Sequence, residues 1–122
     1  MTAISKRILI VEDDADVRRC IARFVYRLGG EAVTVASGPD AFQSFRPRQF
    51  DVVLTDVDLK EGMDGIAVAK ELLAQEPGLR VVVMSGNPKN EALAQNAGLR
   101  DFLAKPFHFS ALALALGLEY CG

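Results

Sequence analysis

The sequence predicts a single α/β domain over residues 1–122, a doubly wound parallel five-stranded sheet of (βα)5 build, and three observations carry that prediction. Short apolar, β-branched runs alternate five times with longer stretches of helical period. Three of those runs are nearly uniformly apolar, as strands are when helices cover both faces of a parallel sheet. The length of 122 residues fits one domain, large enough to bury about two thirds of its unfolded surface without disulfides or a structural metal.

The first strand is Ile8 to Val11. Val17, Cys20, Ile21, Phe24, Val25 and Leu28 then fall on one stripe of a helix that ends at Gly29-Gly30, with Asp14 or Asp16 as its cap. Ala32 to Ala36 is the second strand, and Ser37-Gly38-Pro39-Asp40 opens a short helix through Ala41, Phe42 and Phe45 that stops before Pro47. Val52 to Thr55 is the third strand, followed by a helix marked by Ile66, Ala69, Leu72 and Leu73. Val81 to Met84 is the fourth, and its helix runs from Asn87-Pro88 to Gly98. Phe102 to Ala104 is the fifth strand. Ala111 to Leu118 alternates alanine and leucine, a strand-like period; the helix propensity of both residues favours a helix with Ser110 as cap and leucines on two sides.

Composition narrows the function. Sixteen acidic against fourteen basic residues give a net charge of −2, without the clustered basic surplus of a nucleic-acid surface. Cys20 and Cys121 form no Cys-x-x-Cys pair and read as reduced thiols. No apolar run approaches membrane length and no signal region follows Met1, so a cytoplasmic protein without membrane insertion is expected. His108 is the only histidine and reads as a surface residue.

In open parallel sheets the functional crevice lies at the carboxyl ends of the strands. There this chain has Glu12-Asp13-Asp14 after the first strand, Asp56-Val57-Asp58 after the third, Ser85-Gly86-Asn87 after the fourth and Lys105-Pro106 after the fifth. Carboxylates gathered at one edge repel one another, and a hard oxygen-seeking cation relieves the repulsion. Mg2+ fits, because it takes few protein ligands and is completed by water and phosphate oxygens, with Glu12, Asp13 and Asp56 as its carboxylates. A carboxylate so placed can also attack phosphorus and form an acyl phosphate, with Asp56 as the central candidate, Lys105 as counter-charge and Ser85 as hydroxyl donor.

These motifs resemble the receiver domain of two-component response regulators. The resemblance rests on Ile8-Leu9-Ile10-Val11-Glu12-Asp13-Asp14, Asp51-Val52-Val53-Leu54-Thr55-Asp56, Met63-Asp64-Gly65, Val83-Met84-Ser85-Gly86 and Phe102-Leu103-Ala104-Lys105-Pro106-Phe107. It implies a flavodoxin-like sheet with strand order 2-1-3-4-5. It also implies that Asp56 accepts a phosphoryl group from a sensor histidine kinase or a histidine phosphotransfer protein. Glu12, Asp13, Asp56 and the main-chain carbonyl of Asp58 would be Mg2+ ligands, Ser85 and Lys105 would contact the phosphoryl oxygens, and Ser85 with Phe102 would form the switch. The surface of the fourth helix, fifth strand and fifth helix would meet partners, a second copy included. The first helix around Ala15, Arg18, Arg19 and Ala22 would set kinase choice.

The loop Asp58 to Met63 departs from the family by one extra residue and lacks the usual proline. In that form it resembles receivers fused to hybrid histidine kinases, so both a stand-alone regulator and an excised receiver remain open. Asp58 and Asn87 occupy positions that in the family tune the lifetime of the acyl phosphate. A degenerate, non-phosphorylated binding module is a further reading. An enzyme of haloacid-dehalogenase type, with Asp56 as nucleophile and Asp58 as acid, is weakened because the motif follows the third strand, lacks a threonine at Lys60 and leaves no room for a cap domain.

Overall fold

The structure is a computed structural model and describes residues 5–60 and 62–120. Five strands, β1 (Arg7–Val11), β2 (Glu31–Val35), β3 (Val52–Asp56), β4 (Arg80–Ser85) and β5 (Asp101–Ala104), alternate with five helices. The helices are α1 (Ala15–Arg27), α2 (Gly38–Ser44), α3 (Gly65–Gln75), α4 (Lys89–Asn96) and α5 (Phe109–Leu116). Every strand pairing is parallel, and the sheet order is β2-β1-β3-β4-β5, as expected. Among the described residues no helix is long and apolar enough to cross a membrane.

Successive strand residues point to opposite faces, which divides the core in two. Leu9, Val11, Val53, Val81 and Val83 meet Ala41 of α2 and Phe45 just after it, Val68 and Leu72 of α3 and Ala94 of α4. Ile8, Ile10, Val52, Leu54, Val82 and Met84 meet Ile21, Phe24 and Val25 of α1 and Leu112 and Leu116 of α5. Both faces of the central strands are thus covered, the physical reason those strands read as unbroken apolar runs.

Local chemistry sets the boundaries. Asp14, not Asp16, caps α1: its carboxylate accepts from the backbone N–H of Asp16 and of Val17. That helix ends with Gly29 at φ 84°, a left-handed turn that glycine adopts without strain. Ser37 caps α2 and Asp64 caps α3. The expected cap on α5 is corrected: the helix starts at Phe109 with His108 at the cap position, so Ser110 lies in its first turn. Packing sets that start, because the Phe109 ring stacks on Phe24 of α1 with centroids 4.5 Å apart. Leu112 and Leu116 face inward while Leu114 is 79% exposed, giving the two-sided leucine pattern expected of a helix. Helix α4 begins after Pro88 rather than at Asn87, and β2 runs one residue ahead of its expected place. Cys20 is exposed and free; Cys121 and Glu61 lie outside the described residues.

Candidate functional site

Adjacent strands hold Val11 beside Thr55, Asp56 beside Met84 and Ser85 beside Ala104, so their carboxyl ends finish level. The ladder continues one residue further, with Glu12 N donating to Val35 O, Val57 N to Met84 O and Lys105 N to Ser85 O. Rigid backbone therefore delivers Glu12, Asp56, Ser85 and Lys105 to one edge. Glu12 is 1% exposed and Asp56 5%. Asp13 is half-buried beside them, and one carboxylate oxygen from each of Glu12, Asp13 and Asp56 lies within 4.8 Å of the others.

Two of the three carboxylates, Glu12 and Asp56, share Lys105. Lys105 Nζ lies 3.2 Å from Glu12 Oε1 and 3.3 Å from Asp56 Oδ2. Burial, and then the hydrogen bond and negative charge of Asp56, push the Glu12 carboxyl up to about 8, against the pull of Lys105. Burial works to lower the Lys105 ammonium, but the charges of Asp56 and Glu12 outweigh it and raise it above its ordinary value. The site thus gathers more negative charge than Lys105 balances, which favours the protonated form of Glu12. A divalent oxygen-seeking cation fits such a donor set, because it replaces that proton and offsets the remaining charge.

Ser85, Asp58 and Asn90 form a second, adjoining network. The Ser85 hydroxyl donates to Asp58 Oδ2 at 2.8 Å, and Asn90 Nδ2 donates to Ser85 Oγ at 2.8 Å and to Asp58 Oδ1 at 3.1 Å. Asn87 N donates to Ser85 Oγ at 3.0 Å. The two networks touch where Asp58 N donates to Asp56 Oδ1 at 3.3 Å. The loop after β3 is also tied back to the acidic cluster, since Lys60 N donates to Asp13 Oδ2 at 2.9 Å.

The expected cluster of Glu12, Asp13, Asp56 and Lys105 is brought together, whereas the Ser85 hydroxyl is turned to Asp58. Phe102 is half-buried against the core layer shared with α3 and α4. His108 is exposed. Asn90 was not foreseen, because its contact depends on how α4 sits over β4 and no motif marks it. Arg18 on α1, among the residues expected to set kinase choice, donates to the carbonyl of Glu12 at 2.7 Å. Gly65 also bears on the site: a Cβ built there would lie 1.8 Å from the carbonyl oxygen of Asp56, so only glycine lets α3 start this close to β3.

Residues 8–117 match the family model described as "Response regulator receiver domain". The transcriptional regulatory protein ZraR of Salmonella typhimurium is 39% identical over 109 residues, covering 86% of this chain and 24% of that protein. The response regulator receiver protein CpdR of Brucella abortus is 32% identical over 113 residues, covering 88% of this chain and 90% of that protein. Among solved structures, NtrX from Brucella abortus superposes with a TM-score of 0.84 at 31% identity, over 93% of this chain and 26% of that one. This chain therefore spans about a quarter of the ZraR relative and nearly all of the CpdR relative.

Proposed function

The chain belongs to the response regulator receiver family, and from that premise we propose that it is a phosphoacceptor whose Asp56 takes a phosphoryl group from a phosphohistidine. The donor is a sensor histidine kinase or a histidine phosphotransfer protein. The observation that carries this reading is the cluster of Glu12, Asp13 and Asp56 within 4.8 Å, with Lys105 Nζ 3.3 Å from Asp56. Glu12, Asp13, Asp56 and the carbonyl of Asp58 hold Mg2+. When bound, the metal neutralises charge on the carboxylates and on the transferred group.

A carboxylate oxygen of Asp56 forms the new O–P bond as the P–N bond of the donor breaks and its electron pair returns to the imidazole. Lys105 stays beside Asp56 and meets the phosphoryl oxygens, whose added charge is roughly −2. Ser85 leaves Asp58 and donates to the same group, and Phe102 on β5 responds. The readout surface is α4, β5 and α5, where Leu93 is 56% and Leu114 79% exposed, an apolar area suited to a partner, a second copy included. The chain acts as a phosphoacceptor rather than a turnover enzyme. A dehalogenase-type role for Asp58 is disfavoured by its orientation, because both of its carboxylate oxygens are engaged by Ser85 and Asn90, at 2.8 and 3.1 Å.

The test is the intact mass after incubation with acetyl phosphate and Mg2+, beside Asp56→Asn. One added phosphoryl mass in the parent alone is expected. No gain where a control receiver labels would mean a non-phosphorylated binding module, and gain in the variant would remove Asp56 from the role.

A further inference from the structure

A serine hydroxyl has one proton to donate and two lone pairs to accept with. In Ser85 all three are engaged: the proton goes to Asp58 Oδ2, and the lone pairs take Asn90 Nδ2 and Asn87 N. Contact with a phosphoryl oxygen requires the same proton, because a phosphoryl group can only accept. Ser85 therefore cannot turn to Asp56 without releasing Asp58. Asp58 is itself held in line by Asn90, a buried amide that donates to both members of the pair.

We propose that Asp58 and Asn90 form a latch that holds Ser85 in the unphosphorylated arrangement, making Asp58 the positioning residue that sets how far the domain switches when Asp56 is modified. The inference rests on the phosphoacceptor reading and adds a competitor to it. Before modification the Ser85 hydroxyl commits to the Asp58 carboxylate the proton that the phosphoryl group needs. After modification, the negative charge on Asp56 stands beside Asp58, whose backbone N–H is 3.3 Å from Asp56 Oδ1, and like charges weaken the latch. The two carboxylates thus oppose each other across one hydroxyl, an arrangement with two discrete states.

The probe is beryllofluoride with saturating Mg2+, a non-transferable phosphoryl mimic, titrated into the full chain and followed by NMR of the Ser85 amide. A hydrogen bond to a charged group is worth about tenfold or more in an equilibrium, so Asp58→Ala is expected to bind the mimic about tenfold more tightly than the parent. Asn90→Ala, which changes no charge, is expected to shift affinity in the same direction by a smaller factor. The discriminating arm is Ser85→Ala, where the gain from Asp58→Ala should shrink to about twofold because no hydroxyl remains to be released. Equal gains in both backgrounds would mean simple charge repulsion and overturn the latch. So would a parent that binds the mimic as tightly as Asp58→Ala. A parent and variants that all fail to bind would overturn the phosphoacceptor reading, and the latch with it.

Discussion

In the absence of metal the fold should lose stability as the pH rises from 5 to 7.5, and Glu12 should account for the loss. Its carboxyl titrates near 4.5 in the unfolded chain and at about 8 in the folded one. Throughout that window the unfolded chain has lost most of the Glu12 proton while the folded chain largely keeps it. A folded-state value raised above the unfolded one stabilises fully below pH 4.5 and is progressively lost up to about pH 8. Linkage between those two values gives a loss of about 3 kcal/mol from pH 5 to 7.5, or roughly 10 °C in Tm for a domain of this size. Asp14, lowered by the backbone N–H groups of Val17 and Asp16, loses its contribution only below this window and does not obscure the trend. The assay is thermal unfolding in chelator at pH 5, 6 and 7.5 for the parent and Glu12→Gln, which keeps the shape of the side chain and removes the titration. The variant should flatten the slope, and saturating Mg2+ should stabilise the parent more at pH 7.5 than at pH 5. An unchanged slope in Glu12→Gln would show that Glu12 is not the group whose titration sets the pH dependence.

Three further outcomes follow from other contacts. Gly65→Ala sets a Cβ 1.8 Å from the carbonyl oxygen of Asp56, so α3 or β3 must shift; a cost of about 3 kcal/mol in chemical denaturation is expected, and an unchanged midpoint would show that α3 is free to move. Leu116→Ala opens a cavity under a fully buried side chain and should cost about 2–5 kcal/mol, whereas Leu114→Ala, 79% exposed, should stay within about 0.5 kcal/mol; equal costs would contradict the orientation of α5. Lys105→Met removes the ammonium that pairs with both the Glu12 and the Asp56 carboxylates, at 3.2 and 3.3 Å, so Mg2+ should bind about tenfold more tightly in calorimetry while labelling by acetyl phosphate falls; weaker Mg2+ binding would mean that Lys105 positions the ligands instead of competing with the metal.

The parts of the molecule written in single strands were the legible ones. An apolar run bounded by Glu12, by Asp56, by Ser85 or by Lys105 marks both the strand and the residue at its end, and a parallel sheet brings those ends together without further information. Boundaries that depend on packing were less accessible. Helix α5 begins at Phe109 because its ring stacks on Phe24, a contact between elements more than eighty residues apart, and a preference for serine at caps cannot register it. In α4 the proline at the cap position has no side-chain acceptor, and Asn87 Oδ1 takes the N–H of Lys89 from one residue further back. Asn90 was illegible for the same reason: an asparagine inside a short polar helix looks solvent-facing until α4 is laid over β4 and the amide turns toward Ser85.

Hydride reduction reports whether one carboxylate, Asp56, carries the phosphoryl group, because borohydride converts an acyl phosphate to the alcohol and leaves free carboxylates unchanged. After incubation with acetyl phosphate and Mg2+, reduction and peptide mass mapping should show homoserine at position 56 and nowhere else, with no product in Asp56→Asn. Reduction at Glu12, Asp13 or Asp58 in the parent, or an unreduced Asp56 in protein that has gained phosphoryl mass, would show that Asp56 is not the phosphoacceptor.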